Sequence, residues 1–282
     1  MNKQNFCICG NEIKESKPFS DNFLSLKCCD CNSTKFLPKC DFAIKFNYSK
    51  SEKYNKENAL KSNNMRWAHK KLTKIIPKLN SNILEIGCFT GEFVKILVDK
   101  EIDAYGVDIN KNAINFGRLH FNLHSRLFNL DEEFLKKIDS ILMIDFLEHI
   151  EEPYLLIKDI IQKNKNPKYI IISGPISPVI FHNKSDFPPH HLWRFSEKGL
   201  VHMMRRNKYK LVIKEYEKSP FLLMRNFAGR LKYGINKKEY LTNDLPFTGS
   251  SKFFKLLNKL TSLQINLPLI PRYNSSILIF KN

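Results

Sequence analysis

No apolar run in this chain approaches the ~18 residues that a membrane-crossing helix requires, although 43% of its 282 residues are hydrophobic. The expected product is therefore a soluble protein with one large domain and room for a small one. The opening residues, MNKQNFCICG, lack the apolar core of a secretory signal. A cytoplasmic, reducing setting follows as the expectation, and there the seven cysteines read as metal ligands or packed thiols, not as a disulfide framework. Acidic side chains are few beside basic ones, 28 against 46, for a net charge of +18. Such an excess suits nucleic acid or an anionic surface. Here the lysines and asparagines are spread along the whole length, as in KQNF, KSNN, QKNKNPK and YGINKKEY, and form no single stripe. That spread matches a lysine-rich coding bias better than a dedicated nucleic-acid face, so no specific nucleic-acid partner is expected. Excess positive charge still helps recruit phosphorylated or acidic substrates.

The dinucleotide fingerprint G-x-G-x-x-G is missing as well. In its place stands NILEIGCFTG, residues 82–91, followed by AYGVDIN. Ile83, Leu84 and Ile86 form a short apolar run before Gly87 and Gly91, as expected of a buried parallel strand entering a tight loop. Phe93, Val94, Ile96, Leu97 and Val98 follow at near-helical spacing, and AYGVD predicts a second strand ending in Asp108. An acid there can accept both ribose hydroxyls of a nucleoside-bearing cofactor. The spacing Glu85-x-Gly87-x-x-x-Gly91 favours a nucleoside without a pyrophosphate.

At these residues the chain resembles the class I S-adenosylmethionine-dependent methyltransferases, whose first motif is an acid followed by G-x-G-x-G and whose second ends in an acid. Glu85, Gly87, Gly91 and Asp108 match, while Phe89 stands where the family has its middle glycine. The resemblance implies that these residues, with Ile109, bind S-adenosylmethionine. It places Asn129 beside the adenine, where the family often has an acid, and Leu130 where a backbone amide faces the ring; by residue type alone, an isolated asparagine in a loop is more often a turn residue than a ligand.

IDSILMIDFLEHIEEP predicts a buried strand, Ser140 to Ile144, then Asp145 and Leu147-Glu148-His149. It resembles the fourth-strand signature of the small-molecule branch of the family, with Asp145 at the carboxyl end of a parallel strand, where open α/β sheets bind ligands. It also reads as a capped helix start, with Glu148 and Glu151 on its dipole. After a fifth strand, KYIIISGP, comes DFPPHHLWRFSEKGL. Its Pro-Pro-His-His run is similar to the branch that includes sugar and natural-product methyltransferases. His191, with His190 beside it in an extended loop, is the candidate base for an acceptor hydroxyl; the plainer reading is a histidine that ties the loop together.

Residues 1–45 contain Cys28-x-x-Cys31, a standard zinc knuckle, and Cys7-x-Cys9, which is one residue tighter than usual. A structural zinc held by Cys7, Cys9, Cys28 and Cys31 is expected, with Cys40 an alternative fourth ligand; degenerate thiols that merely pack are the other reading. No histidine lies in residues 1–42, which argues against a catalytic zinc there.

The organisation expected is a zinc-ribbon-like module (1–45), a helical linker (46–80), a core (81–218), and a helical insertion with a final antiparallel strand (219–282). The core should be α/β, a Rossmann-like sheet of seven mostly parallel strands. The resemblance implies that a helix in the linker covers the cofactor or the substrate, with Trp67 and Arg66 as candidates, while core packing is the other reading of the tryptophan. FLLMRNFAGRLKYG and KFFKLLNKLTSL in the insertion are amphipathic: a lid, a homodimer contact, or a weak membrane-surface association with a lipid-linked substrate. The resemblance implies methyl transfer to a small-molecule acceptor, a sugar or sugar nucleotide of surface-polysaccharide or natural-product biosynthesis. Charge alone supports an RNA or protein methyltransferase, and Phe89 alone an inactive cofactor-binding protein.

Overall fold

The computed structural model describes residues 6–13, 16–39, 66–79, 81–123, 126–127, 135–176, 186–218 and 273–282. The insertion of residues 219–272 lies outside them, as do Cys40, Asn129 and Leu130.

Three short strands come first: β1 (Ser16–Pro18), β2 (Phe23–Lys27) and β3 (Thr34–Pro38). Helix α1 (Trp67–Ile75) then leads through a 3-10 turn to β4 (Ile83–Ile86), α2 (Glu92–Val98), β5 (Ala104–Asp108), α3 (Lys111–Phe121) and β6 (Arg126–Leu127). The second half runs β7 (Ser140–Ile144), α4 (Pro153–Asn164), β8 (Tyr169–Gly174), β9 (Trp193–Arg194), α5 (Glu197–Arg206), β10 (Lys210–Lys218) and β11 (Tyr273–Lys281).

Seven of these strands form one sheet in the order β10-β11-β8-β7-β4-β5-β6. The pairs among β6, β5, β4, β7 and β8 are parallel, and β11 runs antiparallel between β8 and β10. Every residue of β4 and β7 is buried, which a strand covered on both faces requires. The two-residue alternation of a strand divides the core. Leu84, Ile86, Ile141, Met143 and Ile172 pack on one face with α4 and α5, while Ile83, Leu142, Ile144, Ile171 and Ile279 pack on the other with α1, α2 and α3. Asn110 caps α3 by accepting from Ala113 N at 3.1 Å, and Ser196 caps α5 by accepting from Gly199 N at 2.9 Å.

A second sheet has the order β1-β2-β3-β9. Its last strand comes from the C-terminal half of the chain: β3 pairs antiparallel with β9, Thr34 opposite Arg194 and Lys35 opposite Trp193. Ser196 N donates to Ser33 Oγ at 3.1 Å, and Ser196 Oγ donates to the Cys31 carbonyl. Lys35, almost fully buried, lies over the Trp193 ring and reaches Glu152 at 2.6 Å. The cysteine-bearing segment is thus stitched to the segment that follows His191.

Candidate active site and cysteine cluster

The loop after β4 bends through two left-handed glycines, Gly87 (φ +79°) and Gly91 (φ +74°). At Gly87 a Cβ would also meet the Phe146 ring at 2.3 Å, so only glycine fits. Asp108, at the end of β5, holds this loop: Phe89 N donates to Oδ2 and Asn110 N to Oδ1, each at 2.8 Å. Phe89 takes a positive φ of 51° and leaves its side chain about half exposed, as does Ile109 after Asp108. Phe89 therefore occupies the family's glycine position without filling the core.

Behind the loop, Glu85 is buried and its Oε2 has no hydrogen-bond partner among the described residues. Burial pushes its carboxyl up to about 8; the Arg66 charge opposes this, and the Asp108 charge, the smallest effect, adds to it. The sign of the linkage follows. Between the ordinary 4.5 and about 8 the folded chain keeps a proton that the unfolded chain has released, so stability is fully present at lower pH and falls as pH rises through that window. Glu85→Gln should flatten that slope in the cofactor-free protein; thermal melts from pH 5 to 8 with an unchanged slope would contradict the account.

Asp145 leaves β7 in the left-handed region (φ +46°), its amide donating to the Ser173 carbonyl at 2.8 Å. Its carboxylate accepts from Arg66 Nη1 at 2.7 Å, which brings the residue preceding α1 over the carboxyl edge of the sheet. Leu147–His149 then form a 3-10 turn. Glu148 is only 2% exposed. Gly174 in β8 leaves room for it, since a Cβ there would stand 3.3 Å from both carboxylate oxygens. Burial, and next the Asp145 charge, push the Glu148 carboxyl well above its ordinary range.

The histidines come to this same edge. His191 Nε2 lies 4.0 Å from Glu148 Oε1, and the His191 and His149 rings meet edge to face at 4.7 Å. His149 Nδ1 donates to the His190 carbonyl at 2.7 Å, and burial holds the His149 imidazole below its ordinary pKa. The expected extended loop is a turn: the amides of His190 and His191 both donate to the Phe187 carbonyl, at 3.1 and 3.2 Å. Neighbouring side chains on a turn do not alternate like those of a strand. His191 is drawn to Glu148, while His190 contributes its carbonyl. On the outer side Phe187 stacks on Phe19 at 5.4 Å, and Trp193 Nε1 donates to the Glu151 carbonyl at 3.1 Å.

Cys7, Cys9, Cys28 and Cys31 are all buried, with their sulfurs within 4.8 Å of one another. Cys7 and Cys31 are 3.4 Å apart, and Cys9 and Cys28 are 3.7 Å apart. A zinc ion with Zn–S bonds of about 2.3 Å holds its sulfurs about 3.8 Å apart, so the donor set fits that ion. Cys31 Sγ also accepts from Ser33 N at 3.4 Å, and the hydrogen bond from Cys7 pushes its thiol down to about 4. The one-residue spacer of Cys7-x-Cys9 is accommodated by a tight turn, in which Gly10 N donates to the Cys7 carbonyl at 2.9 Å. Cys29 is exposed and stands apart.

Sequence reasoning did not find the pairing of Glu148 with His191 or the stitching of Ser33 to Ser196. Partners 43 and 163 residues apart leave no local pattern.

An open α/β sheet with a glycine loop, an acid ending the next strand and ionisable groups along its carboxyl edge defines a nucleoside-cofactor enzyme. A family model described as a methyltransferase domain matches residues 58–216, more than half of the chain. The chain belongs to that family and is a class I S-adenosylmethionine-dependent methyltransferase. Among solved structures it is similar to a SAM-dependent methyltransferase from Archaeoglobus fulgidus (19% identity, 76% of this chain and 93% of that chain, TM-score 0.49). It is also similar to magnesium protoporphyrin IX methyltransferase from Synechocystis with bound SAH (13% identity, 76% and 83%, TM-score 0.44). No curated protein matches it. Among the described residues, no helix is long and apolar enough to cross a membrane.

Proposed function

We propose that this enzyme methylates a hydroxyl of a small-molecule acceptor, a sugar or sugar nucleotide of surface-polysaccharide or natural-product assembly. The observation that carries this reading is the pair of buried Glu148 and partly buried His191 at the carboxyl edge of β7 and β8. A hydroxyl must lose its proton as it attacks, and this pair is built to receive it. S-adenosylmethionine supplies the electrophilic methyl. Gly87 and Gly91 shape the loop for it, Asp108 takes the ribose hydroxyls beside Ile109, and the unpartnered Glu85 Oε2 and Asp145 face its amino-acid end. Leu130 and Asn129 complete the adenine side in this reading. His191 receives the proton, held toward Glu148, with His190 supporting it through the carbonyl that binds His149. Positioning the acceptor oxygen in line with the breaking bond contributes several kcal/mol.

Mass spectrometry after incubation with isotope-labelled S-adenosylmethionine and a panel of nucleotide sugars tests the acceptor class. A labelled methyl on a hydroxyl of one of them is the expected result; label found only on RNA or protein would overturn it. The cofactor assignment has its own check. Asp108→Ala removes two charge-assisted hydrogen bonds to ribose and the clasp on Phe89 and Asn110, a loss of about 2 kcal/mol or more, roughly 30-fold in affinity. Unchanged affinity by titration calorimetry would sink the assignment.

The cysteine cluster is proposed to hold one structural zinc. Four thiolates close the coordination sphere and leave no position for a substrate.

A further inference from the structure

We propose that Glu148, His149 and His191 bind a divalent transition-metal ion, which makes the acceptor end of the site a second metal centre; the proposal rests on the acceptor reading above. One carboxylate oxygen and two imidazole nitrogens converge there, with ligand atoms all within 4.8 Å of one another. Glu148 Oε1 is buried and has no hydrogen-bond partner among the described residues, with His191 Nε2 4.0 Å away. A buried carboxylate oxygen without a partner costs free energy unless a cation or proton meets it. An ion with bonds of about 2.1 Å holds tetrahedral donors about 3.4 Å apart, so small rotamer changes close the set.

The second observation is the state of His149. A carbonyl can only accept, so the 2.7 Å contact with His190 O places the proton on His149 Nδ1 and the lone pair on Nε2. Metal-binding histidines show this arrangement, with the far nitrogen tied to a backbone carbonyl and the near one presented as a ligand.

Two nitrogens and one oxygen select a first-row ion such as Mn2+ or Zn2+ over Mg2+ or Ca2+, which prefer all-oxygen sets. Three protein ligands leave a position open, unlike the four thiolates of the cysteine cluster. An acceptor hydroxyl in that position becomes more acidic. Its O–H bond breaks and the proton leaves to solvent; the oxygen lone pair forms the bond to the methyl as the methyl–sulfur bond breaks, and S-adenosylhomocysteine departs as the neutral thioether. With the ion bound, His191 serves as its ligand and no longer as the proton acceptor, which is the one change this makes to the reading above.

Mn2+ alone is the probe, because it prefers nitrogen and oxygen donors and passes over thiolates. Full-length protein, freed of loosely bound metal on a chelating resin, is titrated with MnCl2 while the electron paramagnetic resonance signal of free Mn2+ is followed. The expected result is one ion per chain, bound at least ~10-fold more weakly in Glu148→Gln and in His149→Gln, with zinc content and cofactor affinity unchanged in Glu148→Gln to certify the fold. No saturable binding, or equal binding in the variants, overturns the proposal. The two readings fail separately. Mn2+ binding without methylation of any nucleotide sugar refutes the acceptor alone, whereas chelator-insensitive methylation together with absent Mn2+ binding refutes the ion alone.

Discussion

His191→Ala is expected to lower kcat at least ~10²-fold while the dissociation constant for S-adenosylmethionine stays where it is. The variant removes a partly buried group that faces Glu148 and meets His149 edge to face, without touching the Asp108 clasp on Phe89 and Asn110. His190→Ala is expected to be mild, because the residue contributes its backbone carbonyl and the substitution keeps it. The split between the two variants is the diagnostic. Loss of a base, or of a ligand that acidifies the hydroxyl, acts on turnover and spares cofactor binding. Stopped-flow turnover and calorimetry on the same preparations decide the matter, and normal turnover in both variants would make the histidines structural.

Stripping metal from the cysteine cluster should have the largest effect on stability. Structural zinc sites bind with apparent free energies of about 10–16 kcal/mol, and that energy goes into folding the residues around them. Elemental analysis of protein purified without added metal should show one zinc per chain, lost in Cys31→Ser. Because β3 pairs with β9, the damage should spread: Phe187 loses Phe19, Trp193 loses Lys35, and the His191 turn loses its outer wall. A strong chelator should therefore lower the melting temperature and turnover together, with Asp108-dependent cofactor affinity less affected. Folded, active protein without zinc would show that the four thiols only pack.

The parts of the fold that were legible in the sequence are those written in short-range patterns. ILEI and SILMI read as buried strands because, Glu85 apart, every position is apolar or small, and both are fully buried. Asp108 was legible because it ends a strand just beyond a glycine loop. Cys28-x-x-Cys31 marked its own turn, and the tighter Cys7-x-Cys9 still joined it in one cluster. Glu148 was legible as part of the Leu-Glu-His signature and, on its neighbours alone, as a helix-dipole partner; that it is buried beside His191 depends on Gly174, in another strand. Lys35 gave no hint of burial, since a lysine on a short strand normally faces water. Its position depends on Trp193 and Glu152, both more than 100 residues later. β9 is two residues long and carries no alternation that could announce it.

The union of β3 with β9 also orders events in time. Ser33 and Ser196 are 163 residues apart, and the chain is made from its N-terminus. The cysteine segment emerges from the ribosome first, yet its partner strand and the helix it packs on are synthesised only after β4, β5, β7 and β8. Long-range pairing of this kind closes late because its loop entropy is repaid last. The strands that carry Gly87, Asp108 and Asp145 are thus made before the cysteine segment finds its partner, and any ligand that binds them early would stabilise the core onto which that segment later folds back.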